Sequence, residues 1–288
     1  MIRDYGTYLK GGVITQLDSD FTTIRLRMPA GILNAEKMKG IAAIAEEFGN
    51  GEVHLTTRQT VEIPHVDHKS IDVISKALDD NGTPIGAERE EIVNITACPG
   101  IERCKYGNID TIHLAMRLDE AVFGRSMPVK LRIAVAGCPY ACTSPVLNEI
   151  GIVGRILPRR IEGKCTGCGT CVEYCKEKAI FIQNGIAVLD HDKCVQCGLC
   201  IRSCPYGTIE QANLNYYITV GGGRGRHPKM GREFVEVYTE DDCVAVVEKI
   251  VYWIYRRAWS GRLLAHQLDE IEFDAFRDEV RASLKKEE

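Results

Sequence analysis

No apolar run in this 288-residue chain reaches the roughly 18 residues that a membrane-spanning helix needs. There is no excess of basic charge either. The 36 Lys and Arg stand against 40 Asp and Glu, a formal net charge of -4, so nothing marks a nucleic-acid surface. No apolar stretch follows Arg3, so the first residues do not read as a secretory leader. No GxGxxG follows a strand and opens a helix, which excludes the usual flavin and nicotinamide fingerprint. The expectation is a globular, cytoplasmic protein that binds neither membrane nor nucleic acid and takes its electrons from another protein.

One residue type is abundant. The chain has 13 cysteines. Their number is odd and the chain is long, which does not suit a disulfide scaffold. All but Cys243 fall into spaced groups. Grouped thiols in a reducing compartment point to metal. Cys243 sits among Val244, Val246 and Val247 in an expected helix and reads as a small buried hydrophobe.

Strands and helices alternate along the rest of the chain, as in an α+β fold. Residues 20–28 read as a strand with Ile24, Leu26 and Met28 on one face and Arg25 and Arg27 on the other. Asn34 and Gly49 bracket a helix over 35–48. Strand pieces follow in 53–63, then a helix over 68–80 headed by Asp67. Strands are expected near 91–97, 129–136, 215–220 and 233–238, with a helix near 108–122. Thr239 and Asp242 form a capping box ahead of a helix of about 18 residues. The last helix is expected over 268–285. His54, His65, His68 and His113 lack ligand spacing and read as structural or exposed.

Residues 161–212 differ in kind. They hold Cys165-x2-Cys168-x2-Cys171-x3-Cys175 and Cys194-x2-Cys197-x2-Cys200-x3-Cys204-Pro205. This is the bacterial ferredoxin spacing, twice, and in that pattern the fourth cysteine of each run ligates the other cluster. One set is therefore Cys165, Cys168, Cys171 and Cys204; the other is Cys194, Cys197, Cys200 and Cys175. Zinc, which needs only four thiolates per ion, is the alternative. Residues 161–212 read as an inserted electron-carrying domain, with 1–160 and 213–288 forming the module around it.

Four more cysteines lie in the outer module, as Cys98-x5-Cys104 and Cys138-x3-Cys142, each pair just after an expected strand. Two strand ends side by side could offer four thiolates to a third cluster. Two unrelated pairs of buried cysteines is the plainer alternative.

At this point the chain resembles the siroheme-containing nitrite and sulfite reductase family. The resemblance rests on Arg25 to Gly31, His54 to Gln59, Asn94 to Cys104, Lys130-Leu131-Arg132, Gly137 to Cys142 and Gly221 to Pro228. With its ferredoxin insert, the chain is similar to the single-module members of the anaerobic and dissimilatory branch. The resemblance implies a mixed sheet with flanking helices, a [4Fe–4S] cluster on Cys98, Cys104, Cys138 and Cys142, and a Cys142 sulfur shared with siroheme. With the ferredoxin pair, that makes three [4Fe–4S] clusters. It also implies that Arg27, Arg58, Lys130 and Arg132 act on the substrate, and that Arg58, Asn94, Arg224 and Arg226 hold siroheme.

The implied reaction is six-electron reduction of sulfite to sulfide. Nitrite reduction, or a non-catalytic electron-transfer or siroheme-binding subunit, is the alternative. The implied partners are a ferredoxin or reductase subunit as donor, and a second copy or a homologous chain that completes the site. Two positions depart from the family. Val93 stands where members often carry Arg, which lowers the expected hold on an anion or shifts substrate choice. Tyr140 stands where a polar Asn or Asp is common. Arg89 could replace the missing cation only by folding inward.

Overall fold

The computed structural model describes residues 11–18 and 20–284. The amino-terminal segment read for a leader lies outside the described residues, as does the Lys285-Lys286 end. The elements run β1 (Val13–Thr15), β2 (Phe21–Arg25), α1 (Ala35–Phe48), β3 (His54–Leu55), β4 (Val61–Asp67), α2 (Ile71–Asp80), β5 (Thr96–Ala97), α3 (Gly100–Arg103), α4 (Thr111–Val122), β6 (Ile133–Ala136) and β7 (Ile150–Arg160). They continue with α5 (Thr170–Tyr174), β8 (Ile180–Gln183), β9 (Ile186–Leu189), α6 (Leu199–Ser203), β10 (Ile209–Val220), β11 (Arg232–Val237), α7 (Glu240–Arg257) and α8 (Phe273–Leu284).

The first sheet is antiparallel, in the order β1-β2-β4-β3. Residues 21–28 alternate as the sequence predicts, with Ile24, Leu26 and Met28 in the core. Helices α1 and α2 cover that face with Ile41, Ile44, Ile74 and Leu78. Each fully buried side chain of this size contributes about 1.5–3 kcal/mol. The Asn34 side chain accepts from Lys37 N at 2.8 Å, so the predicted helix start is the observed one.

The second sheet is mixed, in the order β11-β10-β7-β6-β5. Strands β11, β10 and β7 are antiparallel; β7, β6 and β5 are parallel. Helices α4 and α7 pack on it through Leu114, Leu118, Val247 and Ile254. In α7 Thr239 is the predicted N-cap, with Asp242 N donating to Thr239 Oγ1 at 3.1 Å. Cys243 is fully buried, and burial pushes its thiol far up, so it is the small hydrophobe expected. Trp253 is buried and stacks on Phe276 at 4.7 Å. No helix among the described residues is long and apolar enough to cross a membrane.

Three elements differ from the sequence expectation. The long strand β7 is absent from the sequence reading because Gly151, Gly154 and Pro158 look like breakers. Gly154 is needed there: a Cβ would sit 2.7 Å from the Ile109 side chain and 3.0 Å from Gly137 O. The strand expected over 91–97 shrinks to β5 and two isolated bridges. The last helix starts at Phe273 because Glu272 adopts a left-handed φ of 62° and Leu268 and Ile271 turn into the core instead.

Candidate functional site

Parallel pairing of β5 and β6 brings their carboxyl ends together, and Cys98 and Cys138 follow those ends. Gly137 N donates to Cys98 Sγ at 3.1 Å. The short helix α3 carries the chain round to Cys104. It begins at Gly100, whose φ of 61° and close approach to Thr111 leave no room for a Cβ. On the other side Ala141, at φ 51°, turns the chain back so that Cys142 returns beside Cys138. Cys98 and Cys138 are buried, Cys104 is half-buried, and Cys142 is exposed. Burial pushes the Cys138 thiol up, and charge on Cys98, Cys104 and Cys142 pushes the same way. Four thiols gathered at two strand ends form a donor set suited to a multivalent cationic centre.

The inserted segment sorts its cysteines in the same manner. Cys165, Cys168, Cys171 and Cys204 line one small cavity, together with Ile182 and Tyr206. Cys175, Cys194, Cys197 and Cys200 line another. Burial pushes Cys200 up to about 12, reinforced by Cys194, Cys197 and Cys175. Burial also raises Cys171, with Cys204 and Cys165 next in effect. Residues 161–212 carry their own small apolar core, including Ile180 and Ala187 on the β8–β9 hairpin, whose turn is Asn184-Gly185 in left-handed conformation.

The two regions meet along β7 and β10, where Ile156 N donates to Gln196 O at 2.8 Å and Asn215 Nδ2 to Gln196 Oε1 at 3.0 Å, and again at two loops of the outer module. Pro139 and Tyr140 line the same cavity as Cys175, Cys194, Cys197 and Cys200. The Arg202 guanidinium on α6 donates to Gly107 O at 2.9 Å and to Asn108 Oδ1 at 2.6 Å. Thus the Cys194 run is fastened against the Cys104–Asn108 loop. Tyr140, half-exposed and 5.1 Å from the Tyr106 ring, belongs to this junction rather than to an anion pocket.

Cys142 also opens onto a second space. A polar cleft of about 950 Å³, counted to its open mouth, is lined by Arg58, Arg132, Arg224, Asn94, Asn148 and Cys142, with Thr and Ser hydroxyls between them. Arg58 is lowered to about 10, first by burial and then by the neighbouring Arg25, with Arg132 and Arg224 adding to the effect. Such crowding of like charge favours any anion that enters. Arg132 is held rigid by Glu149, its Nε donating at 2.8 Å and its backbone N at 2.9 Å to the same oxygen. Arg224 reaches Thr143 O at 3.1 Å. The glycine-rich stretch before it is no slack connector: Gly221, Gly222 and Gly223 are buried, and a Cβ on Gly222 would strike Val146 O at 2.3 Å.

Some residues named from sequence sit elsewhere. Arg27 does not join the cleft. Its guanidinium pairs with Asp119 and lies 4.5 Å over the Phe123 ring. Arg25 is also outside the cleft lining; it donates from Nε to Glu62 at 2.8 Å and meets Glu88 beside Arg58. Asn94 lines the cleft, but its amide is engaged with backbone. Its Oδ1 accepts from Met28 N at 3.0 Å and its Nδ2 donates to Arg58 O at 2.9 Å, so it positions Arg58. Arg226 is exposed, without an ion pair among the described residues, and outside the cleft lining. Val93 is fully buried and Arg89 faces solvent, so no cation replaces the family Arg from either position. Lys130 contacts Glu88.

The sequence reading passed over the acids Glu62, Glu88 and Glu149 and the Gln59 clamp. Gln59 Nε2 donates to Ala97 O at 2.7 Å while its Oε1 accepts from Ala97 N at 2.8 Å. That reciprocal pair joins the first sheet's turn to β5. The acids lie in runs such as Glu88-Arg89-Glu90-Glu91, which read as solvated surface, so no sequence signal sets Glu88 apart.

The donor sets fit the groups the sequence implies. The two quartets of the inserted segment each line a cavity, and Cys98, Cys104 and Cys142 lie close enough to Cys138 for their charge to act on it. The cleft beside Cys142 offers three guanidinium groups plus amide and hydroxyl donors, which suits a polycarboxylate macrocycle such as siroheme.

Comparison with known proteins agrees. Residues 14–81 match the nitrite/sulfite reductase ferredoxin-like half domain, and residues 88–288 match the nitrite and sulphite reductase 4Fe-4S domain. The chain is 32% identical over 286 residues to the coenzyme F420-dependent sulfite reductase of Methanocaldococcus jannaschii, covering 98% of this chain and 46% of that protein. The chain thus spans about half the length of that relative. It is 32% identical over 251 residues to one of the subunits of the anaerobic sulfite reductase of Salmonella typhimurium, covering 81% of this chain and 73% of that one. The crystal structure of dissimilatory sulfite reductase I shares the fold, with a TM-score of 0.74 at 19% identity, over 90% of this chain and 69% of that chain. With the 4Fe-4S domain match covering more than two thirds of its length, this chain belongs to the nitrite and sulphite reductase family.

Proposed function

We propose that this chain reduces sulfite to sulfide on a siroheme held in the Cys142 cleft, with electrons delivered through three [4Fe–4S] clusters. One observation carries the reading: the Cys142 thiol belongs at once to the four-cysteine group and to the cation-lined cleft. The cysteine sets also lie in a chain of neighbours. The Cys165, Cys168, Cys171, Cys204 set is held within the inserted segment. The Cys175, Cys194, Cys197, Cys200 set abuts the Cys138–Cys142 loop through Pro139 and Tyr140. This order supports an inserted electron-carrying domain at 161–212, entered by a ferredoxin or reductase partner, in a protein of the reducing cytoplasm.

Residues of the chain have separable tasks in this scheme. Arg58, Arg132 and Arg224, with the Ser144 hydroxyl, hold siroheme carboxylates, while the Thr143 hydroxyl donates to Val135 O at 2.9 Å and Asn148 Nδ2 to Ser144 O at 2.8 Å and so shape the loop. When bound, siroheme and its clusters supply a site for the anion and the six electrons that take sulfur from +4 to −2. Arg25, Arg58 and Lys130 share one carboxylate and so face one small volume. A unit charge pair at 4 Å is worth about 4 kcal/mol at an effective dielectric of 20, so two of these cations suffice to hold an oxyanion. Lys130 carries a proton on Nζ that a departing oxygen can take.

The cleft is open, and we place a second copy or a homologous subunit across it, completing the enclosure. The experiment that tests the proposed activity supplies anaerobically purified protein with a chemically reduced low-potential donor and sulfite. Sulfide formation, lost in Cys142→Ala, supports the assignment. Siroheme-loaded protein that consumes no donor with sulfite is an electron carrier instead.

A further inference from the structure

Glu88 sits in the loop after α2, its side chain only 14% exposed. Its Oε1 meets Lys130 Nζ, and its Oε2 meets Arg25 Nη1 and, at 2.8 Å, Arg58 Nη1. Its backbone N–H donates to the Glu91 carboxylate at 2.9 Å, which anchors the loop. Burial raises the Glu91 carboxyl, which makes it a second titratable acid beside Glu88. Glu62 engages Arg25, with His54 beyond it at 3.1 Å, and Glu149 engages Arg132. Arg224 faces Arg58 from the glycine-rich stretch. Among the described residues, Glu88 is therefore the one carboxylate that Arg25, Arg58 and Lys130 hold in common, and Arg58 carries this cluster to the wall of the Cys142 cleft.

We propose that Glu88 is the specificity-determining residue of this pocket, cancelling one positive charge so that the site takes monoanions, such as bisulfite and nitrite, in preference to dianions such as sulfite and sulfate. This rests on the reductase reading above. A monoanion meets the three cations while Glu88 keeps its charge. A dianion adds a second negative charge beside the carboxylate, and the like charges force a proton from solvent onto Glu88. Dianion binding is then linked to uptake of one proton and weakens as pH rises. Buried Val93 acts in the same direction by supplying no further cation.

The test uses oxidised holoprotein without donor, so nothing turns over. Sulfate serves as dianion and nitrite as monoanion, because neither titrates between about pH 6 and pH 9, where a coupled carboxylate can be followed. Calorimetry in two buffers of different ionisation heat should show proton uptake with sulfate and none with nitrite. In Glu88→Gln the sulfate affinity should rise about tenfold relative to nitrite, the effect of about 1.4 kcal/mol, and lose its pH dependence. Glu88→Asp should retain the wild-type preference. Sulfate binding to wild type without proton uptake overturns the proposal, whether or not the variants fold. An unchanged sulfate-to-nitrite ratio in folded Glu88→Gln does the same. The absorbance of the preparation separates the two ideas: missing siroheme bands count against the reductase reading, while the calorimetric ratio still decides Glu88.

Discussion

Arg27 closes on Asp119, a buried carboxylate on α4, 92 residues further along the chain. Two positions earlier on the same face, Arg25 answers to Glu62 and Glu88. Identical side chains two residues apart thus divide between different acids, and on the proposed function only Arg25 has a part in anion binding.

That division predicts opposite outcomes for two substitutions. Arg27→Ala should cost about 2 kcal/mol of stability, because it strands a buried carboxylate, while leaving anion affinity near wild type. Arg25→Ala should weaken anion binding at least tenfold with a smaller loss of stability. Urea unfolding and anion titration of both variants check this.

Asp119 gives the stability a pH sign. Burial raises its pKa, and the Arg27 hydrogen bond pulls it only partly back. A carboxyl whose folded pKa lies above its unfolded value binds more protons in the native state. Stability is then lost as pH rises from the ordinary carboxylate range through the raised value. Without Arg27 the raised value climbs further, so the cost of Arg27→Ala should be larger at neutral pH than in mild acid. Urea midpoints at both pH values measure the difference.

The junction at Arg202 should govern how firmly the inserted segment is seated. Its charge-assisted bonds to Gly107 and Asn108 are worth about 1.5–3 kcal/mol. In Arg202→Ala, hydrogen exchange across residues 104–108 should quicken about tenfold or more, while iron content stays the same. Unchanged protection there would mean that the two regions are held by other contacts.

Cys142 and Arg132 line the cleft from one chain, so a second copy lying across it does not supply either residue. Cys142→Ala and Arg132→Ala proteins, each inactive alone, should stay inactive when mixed under conditions that exchange subunits. Recovery of activity would mean that the site draws its cations from a neighbouring copy.

Much of this fold was legible because local chemistry and tertiary structure agree. Asn34 and Thr239 cap the helices that their spacing announces. The ferredoxin runs sort into the two crossed sets that their repeat implies, since each fourth cysteine falls in the other run's cavity. What stayed hidden depends on contacts between distant segments. Strand β7 is disguised by glycines that exist to let Ile109 and Gly137 approach. Alternation over residues 21–28 puts Arg25 and Arg27 on one face, but only α4 and the Glu88 loop decide that one pairs with Asp119 and the other with Glu62 and Glu88. Asn94 reads as a ligand, yet its amide ties Met28 to Arg58, a pairing visible only once the sheets are assembled.

The central claim is that siroheme sits beside Cys142 and reduces sulfite. The most direct measurement is the optical spectrum of anaerobically purified, fully reduced protein, titrated with sulfite and then with nitrite. The account predicts siroheme bands that reoxidise on addition of sulfite. Absent siroheme bands, or bands indifferent to both anions, would contradict it and leave the chain an electron carrier.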